Sequence, residues 1–158
     1  MFLVKSISEQ EVLAAQKAWG EAIVAIGAVK ESKEKYMALA EQALDDLYGY
    51  DLGGVAFKPT KAAEKQFRPS KEEALSYFVG GCVAEDTGFA LNPWTCVRFG
   101  EQSIFIRQGF AIAQGNYYFT DAKSGKEVKV EFSFCYIKNE KGALQIVMHH
   151  SSLPYGAA

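Results

Sequence analysis

The spacing of apolar residues changes once along the chain, at Trp94, and that change limits the fold more than any other feature. Before Trp94, apolar residues recur every three or four positions; after it, every second. Val12, Ala15, Trp19, Ala22, Ile23 and Ile26 line one face of a helix predicted over about residues 9–30. Ser8 and Glu11 have capping-box spacing, in which hydroxyl and carboxylate each satisfy an orphan backbone N–H. A charged break at 31–35 precedes a second stripe, Tyr36, Leu39, Ala40, Ala43, Leu44 and Leu47, ending near Gly49. Residues 53–59 read as a turn and a short strand. Pro59 cannot donate to a ladder and marks an edge. Ser70 and Glu73 open a short helix over 71–78, closed by Gly80-Gly81. Strands are then predicted over 95–108, 110–121, 126–138 and 144–152, with Gly100, Gly109, Ser124-Gly125 and Lys141-Gly142 as punctuation. Runs of helix followed by runs of strand predict an α+β fold over residues 1–158, core about 9–153, with helices 9–48 on the concave face of one antiparallel curved sheet.

Charge and cysteine usage narrow the function classes. The 17 basic and 19 acidic residues leave a net charge of -2, so neither a nucleic-acid nor an anionic membrane surface is expected as a partner. Cys82, Cys96 and Cys135 form no CxxC pair and no zinc-ligand pattern. They read as reduced thiols of a cytoplasmic protein, with no metal and no cofactor expected. The start, Met-Phe-Leu-Val-Lys-Ser, turns polar too quickly for a signal peptide, although a removed signal stays open. The 11 Phe, 8 Tyr and 2 Trp exceed what a small, partly hollow domain should need inside. Interfaces are enriched in such rings, so a homodimer or larger homo-oligomer is expected.

The order of elements, with the passage Leu47-Tyr48-Gly49-Tyr50-Asp51 to Val55-Ala56-Phe57-Lys58-Pro59 and the final hairpin Phe132–Lys138 and Leu144–Ser152, resembles the nuclear transport factor 2-like (SnoaL-like) superfamily. The ending His149-His150-Ser151-Ser152 is similar to that of calcium/calmodulin-dependent kinase association domains and their bacterial relatives. The resemblance covers about residues 9–153. It implies a cone, a curved sheet wrapped around helices with a pocket between them, often dimerising through the outer sheet face. Isomerase relatives carry a catalytic Asp just before the Pro of the first strand, where this chain has Lys58. Pocket arginines of the kinase association domains fall at Gly115 and Cys135.

Within that frame the candidate ligand-binding residues are Trp19, Tyr50, Lys58, Arg98 and His150. Trp19 lies mid-stripe on the first helix, so its indole should meet the sheet. Arg98 could offer a fork to a carboxylate. His150 is the candidate acid or base, since an ordinary imidazole titrates near neutrality. Glu131 and Asp51 are the candidate carboxylate partners, Glu131 opposing His150 if Glu140-Lys141 is a two-residue loop. His149 and His150 point to opposite faces of a strand and cannot share a metal. The expected function is binding of a small carboxylate- or carbonyl-bearing ligand. Two alternatives stand beside it: a SnoaL-like isomerase, cyclase or dehydratase using a pocket His with a carboxylate, and an oligomerisation module.

Overall fold

The computed structural model describes residues 5–156. Two helices, α1 (Glu9–Ala28) and α2 (Lys33–Leu47), lead into a short 3-10 turn and strand β1 (Ala56–Lys58). Helix α3 (Lys71–Val79) follows, then β2 (Trp94–Arg107), β3 (Phe110–Asp121), β4 (Glu127–Lys138) and β5 (Leu144–Ser152). The capping box is present in full: Ser8 Oγ accepts from the Glu11 N–H at 3.2 Å, and a Glu11 carboxylate oxygen accepts from the Ser8 N–H at 2.8 Å. At α3 the Ser70 hydroxyl caps the Glu73 N–H. Gly80, with φ of 82°, then ends the helix in backbone space that favours glycine.

The five strands form one sheet in the order β1-β5-β4-β3-β2. The meander β2–β5 is antiparallel, as its alternation predicts. β1 joins the far edge parallel to β5, pairing Phe57 with His149 and Lys58 with His150. That makes the sheet mixed. The parallel pairing needs the long connection through α3 and could not come from a hairpin. A bulge in β2 between Phe99 and Gln102 helps bend the sheet. Gly115 lies opposite it, where a Cβ would come within 2.2 Å of the Glu101 carbonyl oxygen. No arginine can stand there.

The core lies between α1, α2, α3 and the concave sheet face. Trp19, Tyr48, Phe57, Tyr117, Phe119, Phe132, Phe134 and Tyr136 are all buried in it. The aromatic excess, read from sequence as interface material, is therefore largely spent inside. No helix among the described residues is long and apolar enough to cross a membrane.

Candidate functional site

His149 projects from β5 into the middle of this core and is 2% exposed. Its ring stacks on Phe57 at 4.9 Å and lies 4.2 Å from the Phe134 ring centroid. Both ring nitrogens are engaged. Nδ1 lies 2.8 Å from the Tyr48 hydroxyl and Nε2 lies 3.1 Å from the Tyr117 hydroxyl. The Trp19 indole N–H donates to Tyr48 at 2.9 Å. On the other side Tyr117 meets Ser151 Oγ at 2.5 Å, and Ser151 meets Thr60 Oγ1 at 2.6 Å. A continuous polar chain thus runs from Trp19 on α1 to Thr60 in the loop after β1, inside an aromatic cage.

Charge is expelled from this chain. Burial, with a smaller contribution from neighbouring His150, pushes His149 down to about 3. Burial raises the hydroxyls of Tyr48 and Tyr117 well above the usual phenol value. At neutral pH all its members are neutral and act through hydrogen bonds, the Trp19 indole as donor only. Thr60, Tyr77, Tyr117, His149 and Ser151 face a cavity of about 10 Å³, walled otherwise by Trp19, Phe57, Phe78, Phe89 and Pro59. That is about the space one water needs.

The loop carrying Thr60 is held by buried charge. Arg68, 0% exposed, forks onto Asp86 at 2.7 and 2.8 Å and donates to the carbonyls of Lys65 and Glu73. Asp86 also accepts from the Ser76 hydroxyl at 2.6 Å. These hydrogen bonds hold the Asp86 carboxyl below its usual value against the desolvation that would raise it. The Glu85 carboxylate accepts from the Ala63 and Glu64 N–H groups. The loop therefore sits on the core through satisfied ionic contacts rather than through secondary structure.

The residues proposed from sequence are only partly brought together. Trp19 enters the core as expected, its ring centroid 5.6 Å from that of His149. Lys58 does not line the cavity: it pairs in register with His150 and lines a separate groove with it, where partial burial lowers its pKa and Nζ donates to the Ser151 carbonyl at 3.0 Å. His150 is exposed on the opposite sheet face, because alternation sends His149 inward. Glu131 does not oppose it. The β4–β5 connection runs over residues 139–143, and a register shift follows between Cys135 and Tyr136. Ser133 faces His150, while Glu131 pairs with Ser152 and accepts from its hydroxyl at 3.1 Å. Glu131 and His150 share only a shallow outer-face concavity of about 580 Å³. Arg98 lies outside, forked onto Glu127 at 2.8 Å and stacked 3.9 Å over Tyr118. Tyr50 donates to the Arg68 carbonyl, and Asp51 is exposed. Sequence reasoning passed over Thr60, Tyr117, Ser151 and Arg68. Only the parity of Ser151 with His149 could have flagged any of them. Among the described residues no group of three or more His, Cys, Asp or Glu could hold a metal ion.

The cone and its enclosed core define a member of the nuclear transport factor 2-like, or cystatin-like, fold class. A protein of unknown function with a cystatin-like fold from Nostoc punctiforme superposes with a TM-score of 0.59 at 10% identity, over 98% of this chain and 97% of that one. The profile of one family, described as metal-independent carbonic anhydrase, matches residues 10–153. A metal-independent carbonic anhydrase from Nostoc sp. is 48% identical over 96% of this chain and 76% of its own length. A crystal structure of the iota-carbonic anhydrase from a cyanobacterium, complexed with bicarbonate, gives a TM-score of 0.91 at 45% identity, covering 99% of this chain and 98% of that one. The chain belongs to the metal-independent carbonic anhydrase family. That is a narrower placement than the resemblance to kinase association domains.

Proposed function

We propose that this chain catalyses the reversible hydration of carbon dioxide at the cavity lined by Thr60, Tyr117, His149 and Ser151. The observation that carries the reading is the cavity itself: about 10 Å³, walled by rings and lined by converging hydroxyls. At that size the cavity has to widen to take CO2 beside a water, whereas a steroid or polyketide ring would need the whole aromatic wall to move. This disfavours the isomerase, cyclase and dehydratase alternative. The family assignment and the bicarbonate bound to a cyanobacterial relative support the same substrate.

Hydration forms a bond from a water oxygen to the carbon, shifts one C=O electron pair onto oxygen, and releases a proton to the buffer in solvent. The linked neutral hydroxyls of Tyr117, Ser151 and Thr60 can orient the water, and Thr60 at the end of the row can donate to the oxygen that gains charge. Fixed donors in a water-poor cavity stabilise such charge far more than mobile water does. Neutral His149 orients Tyr117 rather than storing the proton.

The test is stopped-flow CO2 hydration with a pH indicator, run with and without a strong chelator. Catalysis above the buffer rate that survives chelation is expected. No acceleration over buffer would overturn the reading. The homodimer expected from the resemblance stays part of the proposal. Phe105, Ile112, Cys135 and Met148 form one row across paired strands, with Phe105 and Ile112 exposed. Light scattering should then return twice 17.4 kDa.

A further inference from the structure

We infer that Trp19 and Tyr48 are positioning residues that hold His149 as its Nε2–H tautomer and so direct the hydroxyl row Tyr117, Ser151 and Thr60 until its last member, Thr60, is a donor aimed at the cavity. One end of the hydrogen-bond chain cannot be reversed. An indole N–H only donates, so at 2.9 Å Trp19 occupies a lone pair of the Tyr48 oxygen and offers that hydroxyl no acceptor. The acceptor in hydrogen-bond reach of the Tyr48 proton is His149 Nδ1, at 2.8 Å. Were Nδ1 protonated instead, it would donate to Tyr48, and the Tyr48 proton would be left buried without a partner. Buried hydroxyls avoid that state because it forfeits hydration with nothing in return. Nδ1 therefore accepts, and the ring proton sits on Nε2, since the partner of one imidazole nitrogen decides the state of the other.

The direction then propagates. Nε2–H donates to the Tyr117 oxygen, Tyr117 donates to Ser151, and Ser151 donates to Thr60. Thr60, lining the cavity, is left with its own proton for whatever oxygen the cavity holds. With the opposite tautomer each of these bonds reverses, and the cavity faces lone pairs in place of a donor. Trp19 and Tyr48 thus choose between an anion-binding and an anion-rejecting cavity through His149. For its effect on turnover this inference rests on the proposed function; the tautomer does not.

The experiment is a two-bond ¹H–¹⁵N histidine spectrum at pH 7 on the whole chain. It holds two histidines, so a His150→Gln variant assigns the His149 signals. A protonated-type shift at Nε2 with an unprotonated-type shift at Nδ1 is expected, and the reverse pattern or an imidazolium would overturn the inference. Tyr48→Phe, which keeps the ring, should draw both shifts toward averaged values. It should also raise the KM for bicarbonate in dehydration by about tenfold, the scale of one hydrogen bond to a charged group, with a smaller change in kcat. Unchanged ¹⁵N shifts in Tyr48→Phe would remove Tyr48 from control. The expected spectrum in a protein that does not hydrate CO2 would uphold the tautomer and sink the proposed function alone.

Discussion

His149 and His150 are consecutive residues of β5 with opposite fates. One is sealed among rings and hydroxyls, held neutral by burial; the other is exposed beside Ser133 and Glu131. The contrast extends across the sheet. The concave face carries Tyr117, Phe119, Phe132, Phe134 and Ser151; the outer face carries Arg98, Gln114, Glu127, Glu131 and Ser152. The same ionic motif also occurs under opposite conditions, since Arg68–Asp86, in the loops flanking α3, is buried and Arg98–Glu127, on the outer sheet face, is solvated, both forked. Proximity in sequence and identity of side chain say little about chemistry. What differs is whether water can compete for the same hydrogen bonds.

The largest expected effect separates the two forks. Asp86→Ala leaves the Arg68 guanidinium buried and unpaired, and should cost about 3–5 kcal/mol in urea unfolding, with Thr60's loop released. A wild-type midpoint for Asp86→Ala would break the comparison. Next, removing donors on the concave face should reduce kcat/KM for CO2 hydration by about 10²-fold for Ser151→Ala or Tyr117→Phe. His150→Ala on the outer face should leave it unchanged. Stopped-flow rates on the three variants decide it, and a large loss in His150→Ala would move the site to the other face.

A smaller effect is the pH dependence of stability. The unfolded chain protonates His149 near its ordinary 6.5, whereas folded His149 resists protonation to about 3. The unfolded state therefore binds more protons, and stability present above about pH 6.5 is lost as pH falls. The slope approaches about 1.4 kcal/mol per pH unit below that point. Urea titrations between pH 7 and 5 lie above the range in which carboxylates add their own slopes. His149→Gln should flatten the curve there. An identical slope in that variant would assign the loss elsewhere. The smallest effect belongs to the solvated fork: Glu127→Gln should leave the urea midpoint at the wild-type value, because water replaces what the pair loses. A clear drop would show that the outer face is covered in solution, as the proposed dimer would cover it.

Local order was legible wherever the physics is local. The stripe through Trp19, the Ser8–Glu11 box, the glycine stop at Gly80 and the alternation after Trp94 each depend on neighbours within one turn or one pleat, so these elements followed from residue spacing. That His149 and His150 face apart was equally legible from the pleat. Which of them faces inward was not. The choice depends on how β5 registers on β4 and β1, through a five-residue connection and a shift at Cys135–Tyr136 that no pattern in the hairpin announces. Glu131 was lost as a partner for the same reason, since a register moved by two residues replaces it with Ser133. Thr60, Ser151, Tyr117 and Tyr48 come from four separate segments and carry no motif in common. They become a site only when the parallel β1–β5 pairing and the Arg68–Asp86 fork bring the loop after β1 over the sheet. The sequence by itself therefore determined the elements and their faces. Only the tertiary structure decided the site, because the hydrogen bonds that build it join groups far apart along the chain and hold only where packing has excluded water.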